Sequence, residues 1–499
     1  METSDDFITA APTMQREISG GGYVMAHHNI SRWTTILDIL KPIAEGEVTF
    51  EKIVEIILFF VNDEQFQSRF RRKGDKDMVF MLGEFFKTLS EQERIAYQTR
   101  IIPSLAQLVL ETETLFPDDK RIPILVQGEN EITTLSKRQC ACLMAHMIFC
   151  IVVDQAEGFK LPELIDFSVI YQKAGLAKNN NKKIHKIRCI FTYFEKVLTE
   201  NPEGNVTFER LFSADNEPWV ECNEPLDKND DDWTQCDESL TNARILSEGG
   251  IEDMRDALQV VFSDKELGDQ VLQLPATQQQ IMSLIHPELM LSLLFCEELK
   301  KNEAIRVTGA GRYSNYKGYG DNFEFDEPYA GDERPTERQH VIMDAEKYNS
   351  KQKESQFDKT WVLRELNKAY SGFYQEDEEE NGRRVATGKW GCGVFKGNPQ
   401  LKFIIQWLAA SRARRDIVFY TYKDTANFNV ENTKKILDYY ADKEVKDLYG
   451  DLLYAAMDMQ SEDMKTKSAQ EESQLPRNEN TVSDENKNLF KFLIDRRGL

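Results

Sequence analysis

Apolar residues recur every three and four positions through the first third of the chain, a period that predicts helices over residues 31–46, 49–70, 77–89 and 100–116. Two more stretches of the same kind follow at 135–153 and 182–202. From about Ser247 the pattern changes. Short runs rich in β-branched and aromatic residues (ALQVVF, AIRVTGA, HVIMDAE, RRVATGKW and DIVFYTYK) alternate with helical stretches at 275–301, 361–374 and 398–415. Alternation of this kind predicts an α/β or α+β domain, a mixed sheet flanked by helices, behind an all-helical one. Asn398 followed by Pro399 marks a helix start, because the Asn side chain accepts from first-turn amides and proline needs no amide there.

Composition then places the boundaries. A length of 499 residues suggests two to three domains, and 41% hydrophobic with 10% aromatic residues makes most of the chain globular. The expected division is a flexible N-terminus at 1–30, a helical accessory domain at 31–240, a mixed-sheet domain at 241–458 and a flexible C-terminal tail at 459–499. That tail ends in LFKFLIDRRGL, which reads either as a helix that docks a protein partner or as a solvated end.

Charge and chemistry remove several function classes. Asp plus Glu number 85 against 62 for Lys plus Arg, and a net charge of −23 repels polyanions, so generic nucleic-acid binding is not expected. The apolar runs from Ile53 and Leu143 are shorter than the roughly 20 residues of a membrane helix, so no membrane partner is expected either. An acidic N-terminus without signal-peptide order, and eight scattered cysteines without a C-x-x-C pair, point to the nucleus or cytoplasm. His27 and His28 lack partners at ligand spacing, and the acidic run 376–380 lacks an alternating ligand pattern, so no metal and no cofactor are expected.

Particular segments carry more than texture. LSKRQCACLMAHMIFC, KIRCIFTYFEKV and NVTFERL in the helical part, then GGIEDMRDALQVVF, IHPELMLSLLF, YSNYKGYGDNF, LRELNKAYSGF and VATGKWGCGVFKGNPQLKFIIQWLAA, together resemble the poly(ADP-ribose) glycohydrolase family over roughly 31–454. The resemblance implies a macrodomain, a mixed sheet between helices that holds ADP-ribose in a cleft, beside a helical accessory domain. Hydrolysis of a ribose–ribose bond needs a carboxylic acid to protonate the leaving oxygen and then to activate water. The family places two adjacent glutamates there, in a signature of three glycines, six to eight residues, then Q-E-E.

The matching stretch here is Gly268, Asp269, Gln270, seven residues, then Gln278, Gln279 and Gln280. Spacing is kept while chemistry is not. The two glutamate positions hold Gln279 and Gln280, and an amide has no titratable proton near neutral pH. General acid–base catalysis is worth about 10²- to 10⁴-fold, so this change alone should remove most of the rate. The family's V-D-F-A-N strand end reads Val260, Val261, Phe262, Ser263, Asp264, which puts Val261 at the Asp position and Asp264 at the Asn position. In the segment that covers the ligand Tyr319 is kept, and Phe323 stands where a second tyrosine would. Asp269 in the phosphate loop adds repulsion, since a carboxylate ~5 Å from a phosphate at an effective dielectric of ~20 costs about 3 kcal/mol per unit charge.

Other positions match the family's ligand contacts. Ile251 and Glu252 correspond to the pair that receives adenine, Gly391, Cys392 and Gly393 to its second phosphate-facing loop, and Tyr422 to an aromatic near the adenosine. Lys389 stands where the family has Asn. The expectation is a catalytically inactive relative that acts as a protein-interaction scaffold. The alternatives are a weak reader of ADP-ribose or its polymer, and an active hydrolase using displaced carboxylates such as Asp264 or Glu266.

Overall fold

The computed structural model describes residues 22–23, 29–66, 76–117, 122–152, 161, 167–173, 177–212, 232–268, 271–273, 275–331, 338–348, 355–375, 382–422, 428, 430–472 and 488–499. His27, His28, Asp269, Gln270 and the acidic run 376–380 lie outside the described residues.

The principal helices of the first part are α1 (Ile30–Ala44), α2 (Phe50–Asn62), α3 (Phe80–Thr88), α4 (Ile102–Leu110), α5 (Lys137–Ile148) and α6 (Ala177–Glu200). Each matches a stretch marked by its apolar period. Thr49 caps α2 by accepting from Lys52 N, and a reciprocal Ser136–Gln139 capping box starts α5, which satisfies amides that a helix start leaves without partners.

Besides a two-residue pair, Gly22–Tyr23 with Ile122–Pro123, two longer strands in this part are not announced by an apolar period: β1 (Ile132–Ser136) and β2 (Asn205–Phe212). The others are β3 (Ala243–Leu246), β4 (Leu258–Ser263), β5 (Glu303–Thr308), β6 (Ser314–Lys317), β7 (Glu324–Pro328), β8 (Gln339–Asp344), β9 (Val385–Gly388) and β10 (Ile417–Tyr420). Eight of them form one mixed sheet in the order β1-β2-β5-β8-β4-β9-β10-β3. From β8 to β3 neighbours run parallel, and from β1 to β8 they run antiparallel. β6 and β7 form a separate hairpin. The segment 31–240 is therefore not purely helical, since β2 pairs directly with β5 of the later segment.

Strand periodicity divides the core. On β4, Val261 joins the apolar cluster shared with α1–α6, while Val260 faces the opposite cluster, built with α8 (Lys359–Phe373) and α9 (Pro399–Arg412). The α9 start is as the sequence predicts: Asn398 Oδ1 accepts from the amides of Gln400 and Leu401, both at 3.0 Å. On the Val261 side, α7 (Gln278–Ile285) packs against β4 and adds Ile281, Met282, Leu284 and Ile285 to the first cluster.

A buried ion pair ties the helical part to the sheet. Lys137 Nζ lies 2.9 and 2.7 Å from the two Glu288 oxygens, which also accept from Gly311 N at 2.8 Å and Tyr313 Oη at 3.0 Å. Both partners are buried, so every lone pair and proton here needs a partner, and the site supplies them.

The flexible-tail reading of 459–499 is corrected at both ends. Helix α11 (Val445–Glu472) follows α10 (Val430–Tyr440) and continues through the polar stretch to Glu472, and residues 489–497 form α12 (Leu489–Arg497). Leu489, Phe490 and Leu493 are fully buried against α9, α10 and α11. Burial of each such side chain stabilises by about 1.5–3 kcal/mol, and Asp451 on α11 binds both Arg496 and Arg497. The apolar end expected to dock a partner is thus occupied within its own fold.

Candidate ligand cleft

Open sheets with parallel strands place their crevice beyond the carboxyl ends of those strands. Here the segments that leave the ends of β3, β10, β9 and β4 are 247–253, 421–422, 389–398 and 264–277, with the β6–β7 hairpin beside them. These segments, with the start of α7, carry the predicted site residues.

Beyond β3, Ile251 is fully buried against Ala257, Ala386, Val418 and Tyr420, which fixes the turn that presents Glu252. Glu252 is 7% exposed and accepts from Tyr316 Oη at 2.5 Å. Burial raises its carboxyl above the usual range, with the Tyr316 hydrogen bond opposing. Tyr422 sits at a φ of 51°, a left-handed conformation rare for an aromatic residue, and leaves 40% of itself exposed. Burial of its hydroxyl and the nearby Glu252 push that phenol well up. Ile251, Glu252 and Tyr422 therefore come together, and Tyr316 joins them.

Beyond β9, the loop folds tightly on itself, with Gly397 N donating to Gly391 O at 2.9 Å. Gly391 has a φ of 72°, and a Cβ there would meet Ala345 Cβ at 2.5 Å, so no other residue fits. Gly393 differs: open space surrounds its missing Cβ. Cys392 is half-buried and donates to Trp390 O at 3.5 Å. Beneath the loop, buried Lys402 lies over the Trp390 ring and pairs with Glu365.

Beyond β4, the three glutamines each have a different task. β9 pairs with β4 only at Leu258 and Gln259, so further along β4 the main chain faces a gap. Gln278 fills it like a peptide unit: its Oε1 accepts from Phe262 N at 2.8 Å and its Nε2 donates to Val260 O at 2.9 Å. Only an amide offers both groups. Gln279 donates to Ser263 Oγ at 2.9 Å. Gln280 Oε1 accepts from Thr277 N at 3.2 Å, closing the cap of α7, and from Lys186 Nζ at 3.2 Å. Lys186 reaches in from α6 and also donates to Val271 O and Gln273 O.

Three further described residues of this loop are turned inward. Leu267, Val271 and Leu272 are all buried in the core, and Gly268, at a φ of 67°, packs so closely on Leu293 that a Cβ there would clash at 2.6 Å. Val261 is buried in the same cluster. Asp264 is half-buried, and its Oδ1 accepts from Lys265 N at 2.7 Å. Across the cleft, Phe323 is buried and stacks on Tyr316 with ring centres 5.9 Å apart, whereas Tyr319 is 61% exposed. The hairpin tip is held to the loop by two main-chain bonds between Ala276 and Gly320.

Lys186, Tyr316 and Ser263 were not singled out from the sequence. Lys186 had a signal, since it stands four residues before Ile190 and seven before Tyr193, on the buried stripe of α6 where an apolar residue belongs.

Comparison with known proteins agrees with this arrangement. Residues 230–429 match a family model described as poly(ADP-ribose) glycohydrolase, macro domain fold, and residues 89–210 match the helical domain of the same family. The chain is 28% identical to poly(ADP-ribose) glycohydrolase 1 of Arabidopsis thaliana over 490 residues, covering 80% of this chain and 86% of the relative. It is 27% identical to probable poly(ADP-ribose) glycohydrolase 2 of the same plant over 438 residues, covering 76% and 81%. With poly(ADP-ribose) glycohydrolase 1 of Caenorhabditis elegans the identity is 29% over 388 residues, covering 74% of this chain and 46% of the relative.

Proposed function

This chain belongs to the poly(ADP-ribose) glycohydrolase family, and from that premise we propose that it is an inactive member, which acts by binding and does not hydrolyse the ribose–ribose bond. The observation that carries the reading is the state of Gln279 and Gln280. Both are amides at the positions of the family's two glutamates, and each is engaged inside the protein, with Ser263 and with Lys186 and Thr277. A general acid must hold a proton that it can give up, and an amide has none. Asp264, the displaced carboxylate considered for an active enzyme, is half-buried and its Oδ1 accepts from the adjacent Lys265 amide.

Single-turnover assay on automodified poly(ADP-ribose) tests this. No release of ADP-ribose is expected; release that disappears in Gln280→Ala would overturn the proposal.

A second reading, a reader of ADP-ribose, is supported by Glu252 and Tyr422. A buried carboxylate beside a partly exposed aromatic ring is a site for a flat ring that carries an N–H donor. A protein-interaction role would have to use surfaces other than Leu489, Phe490, Leu493 and Ile494 of α12, which are buried in the fold.

A further inference from the structure

A two-stranded hairpin is marginal by itself, so β6–β7 keeps its place through what holds it. On one side the tip is bonded to the loop that follows β4, between Ala276 and Gly320. The other side rests on α6. Lys182 pairs with Asp321 at 2.6 Å, His185 Nδ1 accepts from Phe325 N at 3.2 Å, Arg188 lies over the Phe325 ring, and Lys196 donates to Tyr329 O. In three of these contacts α6 contributes a cation, whereas His185 contributes a lone pair. A main-chain amide can only donate, so Nδ1 must be bare and the ring neutral, with its proton on Nε2. Protonation would put an N–H on each nitrogen and leave two donors facing one another.

We propose that His185 is an acid-sensitive latch on the hairpin wall of the cleft: neutral, it holds the Phe325 amide and keeps β7 on α6; protonated, it turns to the neighbouring Glu324 carboxylate and lets β7 go. Both states have a partner in place, because Glu324 and Phe325 are consecutive on β7. Burial of the half-buried ring, the larger influence, holds it below its ordinary value, and Glu324 opposes by favouring the charged form. The latch therefore releases below roughly pH 6.5. Other charges around the contact are paired with one another: Lys182 with Asp321, Arg188 with Glu93, and Lys317 with Asp326. Release reaches the cleft through the hairpin itself. Phe325 is in register with Tyr316, whose hydroxyl bonds Glu252 and whose ring stacks on Phe323.

Hydrogen exchange on the full chain without ligand, followed by mass spectrometry and corrected for the intrinsic rate, tests the latch at about pH 7.5 and about pH 5.5. Protection of segment 314–328 is expected to fall about tenfold in acid, the worth of one hydrogen bond, while α9 keeps its own. His185→Asn places an acceptor on the same branch as Nδ1 and should stay protected at both values. His185→Lys puts an ammonium against the amide and should be unprotected at both. Circular dichroism checks that each variant folds, and should the lysine variant fail to, parent against His185→Asn decides. Equal protection of the parent at the two pH values, a loss in His185→Asn as large as the parent's, or a loss of the same size in α9 would each overturn the proposal. The readout involves neither binding nor turnover, so it stands apart from the polymer assay.

Discussion

The Lys186 ammonium is wholly buried yet, among the described residues, its hydrogen bonds go to neutral oxygens: Gln280 Oε1 at 3.2 Å and the carbonyls of Val271 and Gln273. A glutamate at 280 would give it a counter-charge. In this chain the amine is left to carry the full cost of burial, which pulls it down to about 7.

That relationship sets a pH dependence. An unfolded lysine titrates near ~10.4, so between about 7 and that value the unfolded chain holds a proton that the folded one has released, and stability rises with pH across the window. Gln280→Glu should pair the ammonium and raise its pKa. Thermal unfolding from pH 7 to 9 is expected to give a shallower rise for the variant than for the parent, with a higher Tm at pH 7. Parallel curves would refute it.

The amide of Gln278 stands in for a strand residue. Gln278→Glu keeps the shape and the acceptor but loses the donor to Val260 O, leaving a buried carbonyl without a partner. A cost of about 1–3 kcal/mol is expected in urea unfolding, with faster hydrogen exchange at the Phe262 amide.

How much of this could be read beforehand depended on whether a residue's partner is local. Helices α1–α6 and strands β4, β5, β8, β9 and β10 were legible, because their burial follows from their own period. Strand β2 was not, because its third inward position is Arg210, a charge that interrupts the alternation and is satisfied by Glu303 on the neighbouring strand and by the carbonyls of Leu125, Glu297 and Glu298, all distant in sequence. The seat of α12 was hidden for the same reason: a nine-residue apolar helix after a polar stretch looks solvated until α9, α10 and α11 are placed beside it. In the cleft, the match of Val261, Gln279 and Gln280 to acidic positions of the family's motifs is an expectation that the resemblance supplied, whereas the partners of the two glutamines, Ser263 and Lys186, required three dimensions.

Acid should loosen the centre of the sheet. His286, which ends α7, and His340 on β8 are fully buried with ring centres 4.5 Å apart, and Arg338, Arg312 and Lys137 add positive charge around them. Burial holds His286 well below its ordinary value and His340 down at about 3. Both are neutral in the fold and charged when unfolded below roughly 6.5, so their contribution is present above that pH and is lost as pH falls toward about 3. Urea midpoints measured from pH 7 to 4.5 should fall, and His340→Leu should flatten the decline. A decline that the variant leaves unchanged would rule the pair out as its source.

The Lys137–Glu288 pair offers a test of how the helical part is joined to the sheet. Lys137→Ala strands a buried carboxylate that Gly311 N and Tyr313 Oη satisfy only in part. A loss of about 3–5 kcal/mol is expected in denaturant unfolding, with the helical part and the sheet unfolding in one transition. Two separate transitions in the parent protein, with the pair intact, would show that this contact does not couple them.

The pairing of β2 with β5 means that the helical part also works as an edge guard. Thr207 to Phe212 cover, residue for residue, the outer side of the strand from Thr308 back to Glu303. A fragment cut at residue 230, where the macro-domain match begins, would bare that row of donors and acceptors to any passing strand. Self-association of such a fragment would then reflect the missing neighbour and say nothing about the quaternary habit of the whole chain.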